Sequence, residues 1–337
     1  MRGETSINVL ITSVGRRTSL LQYFKRELEG IGELIATDCS CLAPALYMAD
    51  RHYIVPRIDH PNYIDILKKI CIEEKITSIL TLIDPELSLL GTYREEFKDL
   101  GVTTIVSSFD ECQRWLDKYS ASKFYQEHNY KHALSFNSFI EFSEAINKNE
   151  IRFPVFIKPQ KGSGSLRINK ANNINEAKVI FESSEEMIIQ EFLDGQELGV
   201  DVYVDILSKE VVSIFIKEKM AMRAGETDKA KSTKSEPLFN MIIDLLGKTD
   251  LIGPLDIDVF NVNGEYYISE INPRFGGGYP LAYECGINFP MYIIKNTLGK
   301  LNTARIGNYD ENVYMLKHDS LTIKRDLKKE AIYSHSH

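Results

Sequence analysis

The residues best placed to do chemistry lie in LDIDVFNVNGEYYISEINPRFGGG, residues 255–278. On a strand, Glu270 and Asn272 alternate to the same face. Their oxygens suit a hard cation such as magnesium, which bridges nucleotide phosphates. Asp258 lies on the preceding strand, and the turn between the strands decides whether it shares that face. A two-residue Asn263-Gly264 turn puts Asp258 and Glu270 on opposite faces. A three-residue loop, Val262-Asn263-Gly264, changes the parity, places glycine where a left-handed backbone is usual, and makes Asp258 a diagonal neighbour of Glu270. A metal site therefore predicts the three-residue loop, and a two-residue turn counts against it. Asp256 shares the face of Asp258 and is a reserve ligand, because carboxylates gathered without a cation repel one another. Arg274 follows two residues after Asn272, where an arginine can stabilise charge on a transferring phosphoryl group.

A second segment, FPVFIKPQKGSGSL, sets Lys158 at the end of an apolar strand, just before Gly162-Ser163-Gly164-Ser165. Glycines let backbone N–H groups approach phosphate oxygens, and the lysine supplies compensating charge. No GK[ST] closes the loop, so it is not a Walker loop. The turn SVGRRTS has one glycine and fails the dinucleotide fingerprint. Arg16 and Arg17 in it stand near a helix N-terminus, where an anion can bind, but a solvated face is the preferred reading for them.

The elements that must position these residues alternate in the first third of the chain. INVLITSV, ELIATD, ITSILTLI and VTTIVSS read as strands. RRTSLLQYFKREL, YIDILKKICIEEK and PELSLLGTYREEFKDLG read as helices, the first with Leu20, Leu21, Phe24 and Leu28 on one face. Such alternation implies parallel pairing with helices on both faces of the sheet. After residue 110 the pattern becomes helical and then turns to antiparallel strands and hairpins. Residues 222–237, MRAGETDKAKSTKSEP, read as a polar loop over a site or on the surface. ENVYMLKH reads as a short docking strand.

Composition bounds the functional classes. Among 337 residues, 43% are hydrophobic and 26% charged, an ordinary globular balance with room for two or three packed units. The net charge of −8 does not favour nucleic acid or a membrane surface as partner. The five cysteines include no CxxC pair and read as free thiols of a reducing cytoplasm. No signal peptide or membrane-spanning run is visible. The seven histidines show no metal-ligand spacing, and Trp115 reads as a packing anchor.

At these motifs the chain resembles the ATP-grasp superfamily, most closely the carbamoyl phosphate synthetase large-subunit branch and its small stand-alone relatives, over roughly residues 8–300. Glu270, Asn272 and Arg274 match the family's E-x-N-x-R motif, and Asp258 its other carboxylate ligand, often a glutamate. The resemblance implies Asp258, Glu270 and Asn272 as metal ligands and Arg274 as a catalytic residue. It implies Lys118 in LDKYSASK and Lys158 in FIKP as phosphate contacts, with Ser163 and Gly164 in the loop beside the phosphates. In IIQEFLDGQELGVD it implies Gln190, Glu191, Phe192 and Leu193 around the base, mostly through backbone groups, and Glu197 on the ribose hydroxyls. Arg223 is the candidate contact to a substrate carboxylate or acyl phosphate.

The implied fold is an N-terminal α/β domain with a doubly wound parallel sheet (1–110), followed by a two-lobed α+β ATP-grasp domain with antiparallel sheets (111–300; small lobe 111–195, large lobe 196–300) and a C-terminal extension (301–337). The implied function is an ATP-dependent ligase of a carboxylate with an amine or another nucleophile, which passes through an acyl phosphate and releases ADP and phosphate. Its cofactors are ATP and Mg2+, with Mn2+ as a substitute. Its partners are small-molecule carboxylate and amine substrates, with a homodimer left open. Carbamoyl phosphate synthesis is not expected, because that large subunit carries two such units and this chain one. The alternatives are a small-molecule kinase on the same fold and a non-catalytic nucleotide-binding module.

Overall fold

The structure is a computed structural model that describes residues 6–162, 168–327 and 333. The first sheet is parallel throughout, in the order β3-β2-β1-β4-β5, from β1 (Asn8–Thr12), β2 (Leu34–Asp38), β3 (Arg51–Ile54), β4 (Ile76–Thr81) and β5 (Thr103–Thr104). Helices α1 (Thr18–Leu28), α2 (Tyr63–Glu73), α3 (Asp84–Thr92) and α4 (Arg94–Asp99) accompany it. Its strands are apolar on both faces, and consecutive residues enter different cores. Val9 and Ile11 join the cluster of α1, whereas Leu10 and Ile35 join that of α2 and α3. Both faces are therefore covered, as a parallel sheet requires. The helix read across 85–101 is broken at Tyr93 into α3 and α4. The short strand β3, flanked by a 3-10 turn at Pro44–Met48, was not expected. Its four residues begin with exposed Arg51 and carry no apolar alternation.

The next unit contains α5 (Phe109–Leu116), α6 (Lys118–Glu127), β6 (Ser135–Phe136), α7 (Phe139–Asn147), β7 (Val155–Pro159), β8 (Asn169–Ala171), α8 (Ile174–Glu182) and β9 (Met187–Glu191). Its four strands pair antiparallel in the order β6-β9-β7-β8. They enclose a core of their own around Phe142, Val155, Ile157 and Ile189.

The largest sheet runs β14-β13-β10-β11-β12-β15. It is built from β10 (Gln196–Val204), β11 (Val211–Arg223), β12 (Glu226–Thr233), β13 (Gly253–Val262), β14 (Glu265–Asn272) and β15 (Tyr314–Leu316), with α9 (Glu236–Leu246), α10 (Tyr279–Glu284) and α11 (Phe289–Thr297). Residues 222–233, read as a loop, are instead the end of β11 and the whole of β12, a hairpin joined by a tight turn. Its polar residues fit an edge that only the three-residue β15 covers.

One hydrophobic cluster unites α1 with this sheet and with α10 and α11. Phe24 meets Phe275 edge-on at 5.8 Å between ring centroids, and Tyr23 stacks on Tyr283 at 3.8 Å. This packing fixes the start of α1 against the large sheet. Among the described residues no helix is long and apolar enough to cross a membrane. All five cysteines are free.

Candidate active site

The β13–β14 hairpin corrects the expected loop. Val262 pairs with Glu265, so the turn is the two-residue Asn263-Gly264, with both residues at positive φ (52° and 89°). Alone, that turn would send Asp258 and Glu270 to opposite faces. The register changes between Val259, which pairs with Ile268, and Asp258, which pairs with Glu270. Ser269 is thus the extra residue of a β-bulge, and it restores the parity that the turn removed. Ile268 and Ile271 point into the core, whereas Glu270 and Asn272 point outward with their direct partners Asp258 and Asp256. Asp258 faces Glu270 squarely rather than diagonally.

The same face continues onto β10 and β11. Asp201 pairs with Asp256, Gly199 with Asp258, and Lys217 with Gly199. Lys217 is fully buried and ion-paired to buried Asp201. Burial pushes the Asp201 carboxyl up to about 6 against the pull of Lys217. Lys219 donates to Asp258 at 2.6 Å and to Glu197 at 2.8 Å. Burial, with help from Asp256 and Glu197, pushes Asp258 up to about 7 despite Lys219. Lys219 itself is raised: burial works against its charge, but Asp258 and Glu197 prevail.

The glycines after Asn272 have a steric reason. A Cβ on Gly276 would lie 2.4 Å from the Asp256 carboxyl carbon, and one on Gly278 2.3 Å from Lys217 Cε. Real Cβ atoms do not approach so closely, so the FGGG turn lets the backbone lie against the buried charges.

Lys118 and Lys158 come from the small-lobe side. Asp117 caps α6 by accepting from Tyr119 and Ser120 N–H, each at 3.0 Å, and its other oxygen accepts from the Gln160 amide at 2.7 Å. This holds Lys118 so that its Nζ donates to the Gly162 carbonyl at 2.6 Å and lies 3.4 Å from Glu270. Lys158, on β7, is 8% exposed. Burial lowers its pKa; Glu270 and Asp258 raise it, and Lys118 lowers it further. Ser163 and Gly164 lie outside the described residues.

Arg274 is clamped. Its Nε donates to Asp84 at 3.0 Å, its Nη2 to Asn272 Oδ1 at 3.2 Å and its Nη1 to the Phe275 carbonyl at 3.1 Å. Burial disfavours its charge, but Asp84 and Asp256 outweigh that and raise its pKa. Asp84 opens α3 of the N-terminal unit, so this ion pair joins the two ends of the site.

Of the residues expected around the base, Gln190 is buried in β9 and donates to Ser135 at 3.0 Å, while Glu191 N–H is given to the Leu134 carbonyl. Phe192 packs on Phe156 at 5.4 Å beneath Lys170, and Leu193 is buried. Glu197 lines a cleft of about 900 Å3 (open solvent included) that also contains Asp256, Asp258, Glu270, Asn272, Arg274 and Lys219.

Arg223 is not brought into this wall. It lies exposed at the end of β11, in a bidentate pair with Asp319 at 3.0 and 3.1 Å. Two register irregularities in the β11–β12 pairing change which side chains face the cleft. Arg17, read from the sequence as a solvated face, lines the cleft together with Arg274. Lys219 and Asp84 carried no motif that could have found them.

Asp258, Glu270 and Asn272 offer only oxygen donors from one sheet face, which fits a cation that takes one or two carboxylates and leaves other positions to phosphates and water. Among the described residues no three His, Cys, Asp or Glu side chains form a metal cage by themselves. These donors would supply part of a coordination shell, with Lys118, Lys219 and Arg274 close by.

Comparison with known proteins places this geometry. The family described as "ATP-grasp domain" matches residues 116–278, and "PylC-like, N-terminal domain" matches residues 9–105. A protein of Methanobrevibacter smithii named carbamoyl-phosphate synthase is 26% identical over 315 residues, 87% of this chain and 82% of that one. N5-carboxyaminoimidazole synthetase from Staphylococcus aureus, solved with ADP, superposes with a TM-score of 0.70 at 16% identity, over 89% of this chain and 80% of that one. The biotin carboxylase domain of Hydrogenobacter thermophilus 2-oxoglutarate carboxylase, solved with MgADP, gives 0.72 at 14% identity, over 92% and 74%. At such identity the two solved structures show a shared fold.

Proposed function

From the ATP-grasp domain matched over residues 116–278, we propose that the chain joins a small-molecule carboxylate to an amine through an acyl phosphate, releasing ADP and phosphate. The observation that carries the proposal is Asp258 directly opposite Glu270, with Asn272 on the same face and Lys118, Lys158, Lys219 and Arg274 around them.

ATP with its divalent cation supplies the phosphoryl group that turns a carboxylate, a poor electrophile, into a reactive one. In the proposed reaction a carboxylate oxygen takes the γ-phosphoryl group as ADP leaves. The amine nitrogen then bonds to the carbonyl carbon, phosphate departs, and the nitrogen loses a proton. Asp258, Glu270 and Asn272 would hold the cation, with Mn2+ able to replace Mg2+. Lys118 and Lys158, at Glu270, are placed to neutralise phosphate oxygens. Arg274 needs no reorganisation to face developing charge, because Asp84, Asn272 and Phe275 already fix its plane; preorganised charge of this kind supplies much of a phosphoryl-transfer enzyme's rate. Lys219 ties Glu197 to Asp258, so the proposed ribose contact and metal ligand share one cation.

The test is ATP turnover with magnesium and pairs of carboxylates and amines. ADP and phosphate formed only when both partners are present support the ligase. A stable phosphorylated product from one hydroxyl compound would replace it with a kinase. ATP binding without turnover across the panel would replace it with a nucleotide-binding module.

A further inference from the structure

At the N-terminal end of the cleft, one carboxylate of the protein sits between two cations from distant parts of the chain. Glu226 Oε1 lies 3.4 Å from Arg17 Nε, and Oε2 lies 3.4 Å from Lys317 Nζ. One oxygen per cation is how a carboxylate is read by two donors, and both distances are at the long end for ion pairs. Arg17 is the N-cap residue of α1, aimed into the cleft by the packing of Phe24 and Tyr23 on Phe275 and Tyr283. Lys317 follows β15 and is anchored to the Gly277 carbonyl at 2.7 Å.

The carboxylate between them is the least fixed of the three. Glu226 side chain is 41% exposed and belongs to the β11–β12 tip, whose turn is Ala224-Gly225 at φ 51° and 77°. Met222, Ala224, Gly225 and Thr227 of that tip line the cleft with it. It also lies over a glycine: a Cβ on Gly277 would meet Glu226 atoms at 3.0–3.1 Å. Burial lowers the pKa of both Arg17 and Lys317. Glu226 opposes this, and a further cation adds to it: Arg274 at Arg17, and Arg17 at Lys317. Removal of Glu226 would leave two partly buried cations facing each other, a site that another carboxylate would fill.

We propose that Glu226 occupies the place of a substrate carboxylate, which displaces it, binds between Arg17 and Lys317, and moves the 222–227 tip as it enters. The proposal rests on the ligase reading in that it deepens it: the substrate bound beside Arg274 is an anion, and Arg17 and Lys317 select for its carboxylate rather than a neutral amide.

The test uses the full chain, with a mixture of the protein L-α-amino acids as probe and the mixture of their carboxamides as control. Hydrogen exchange at residues 218–227 reads the site, and ADP release from ATP–Mg2+ reads the reaction. The expected result is a change in exchange with the acids, absent with the amides, that needs about tenfold more ligand in Arg17→Gln and in Lys317→Gln. In Glu226→Gln, where the internal competitor is weakened, it should need several-fold less. Lys317→Gln is the safer variant for folding, since its side chain is only partly buried. No exchange response, an equal response to amides, or an unshifted response in both cation variants overturns the proposal. ADP release without a tip response leaves the ligase standing and removes this inference. A tip response with no ADP release keeps the inference and removes the ligase reading for these substrates.

Discussion

Glu270 stands at the centre of the proposed site. It faces Asp258 across the hairpin, lies 3.4 Å from Lys118, and acts electrostatically on Lys158 and Arg274. Glu270→Gln keeps the shape and removes one charge. We expect kcat to fall by about 100-fold or more, with a melting temperature within a few degrees of the parent. Arg274→Lys keeps a charge but loses the planar fork that engages Asp84, Asn272 and Phe275, so kcat should fall by more than about tenfold while the KM for ATP moves little. Unchanged kcat in either variant would mean that phosphoryl transfer happens elsewhere. At this scale the sequence was informative wherever candidate ligands lie two residues apart on a strand. Glu270, Asn272 and Arg274 could be read from spacing. Arg17, Asp84, Lys219 and Lys317 could not, because each meets its partner only through a tertiary contact spanning 39 to 209 residues.

Among elements, the β13–β14 hairpin shows where reading stops. Its strands and its Asn-Gly turn are legible from composition. The bulge at Ser269 is not, since serine there carries no bulge signal, yet it decides which face Glu270 occupies. The glycine turn after it allows a direct test. Gly278→Ala would push a Cβ into Lys217, which is buried and cannot swing away. The variant should lose about 1–3 kcal/mol of stability in denaturant titration and lose activity with it. Gly264→Ala, in the open turn at φ 89°, should cost about 1 kcal/mol and leave kcat unchanged. Equal effects of the two would contradict the packing argument.

Across the whole molecule, two buried acids hold distant segments together. Asp84 binds Arg274 across 190 residues. Asp205 accepts from the Asn296 and Asn302 side-chain amides and from the N–H groups of Leu207, Ser208 and Asn302. Burial alone would raise the Asp205 pKa, but these donors, led by Asn296, lower it. A carboxyl whose pKa is depressed on folding stabilises the fold above its unfolded pKa of about 3.9 and loses that contribution as pH falls through the lower folded value. Melting temperatures of the parent and of Asp205→Asn should therefore differ at neutral pH and converge below about pH 4. A constant gap would assign the effect to packing. The parallel sheet and its covered faces were legible because long apolar runs alternate with amphipathic helices. The hairpin at 222–233 was not, because its residues are polar and it becomes a strand only by joining β15 and the rest of the large sheet.

The most direct test of the central claim is a single assay: ADP, AMP and phosphate measured separately from ATP–Mg2+, with amino acids and small carboxylates offered alone and in pairs, to the parent protein and to Glu270→Gln. The account predicts ADP and phosphate, without AMP, from the parent with one pair only, together with an amide product, and almost none from the variant. ADP release by Glu270→Gln at the parent's rate, or turnover to AMP, would contradict it.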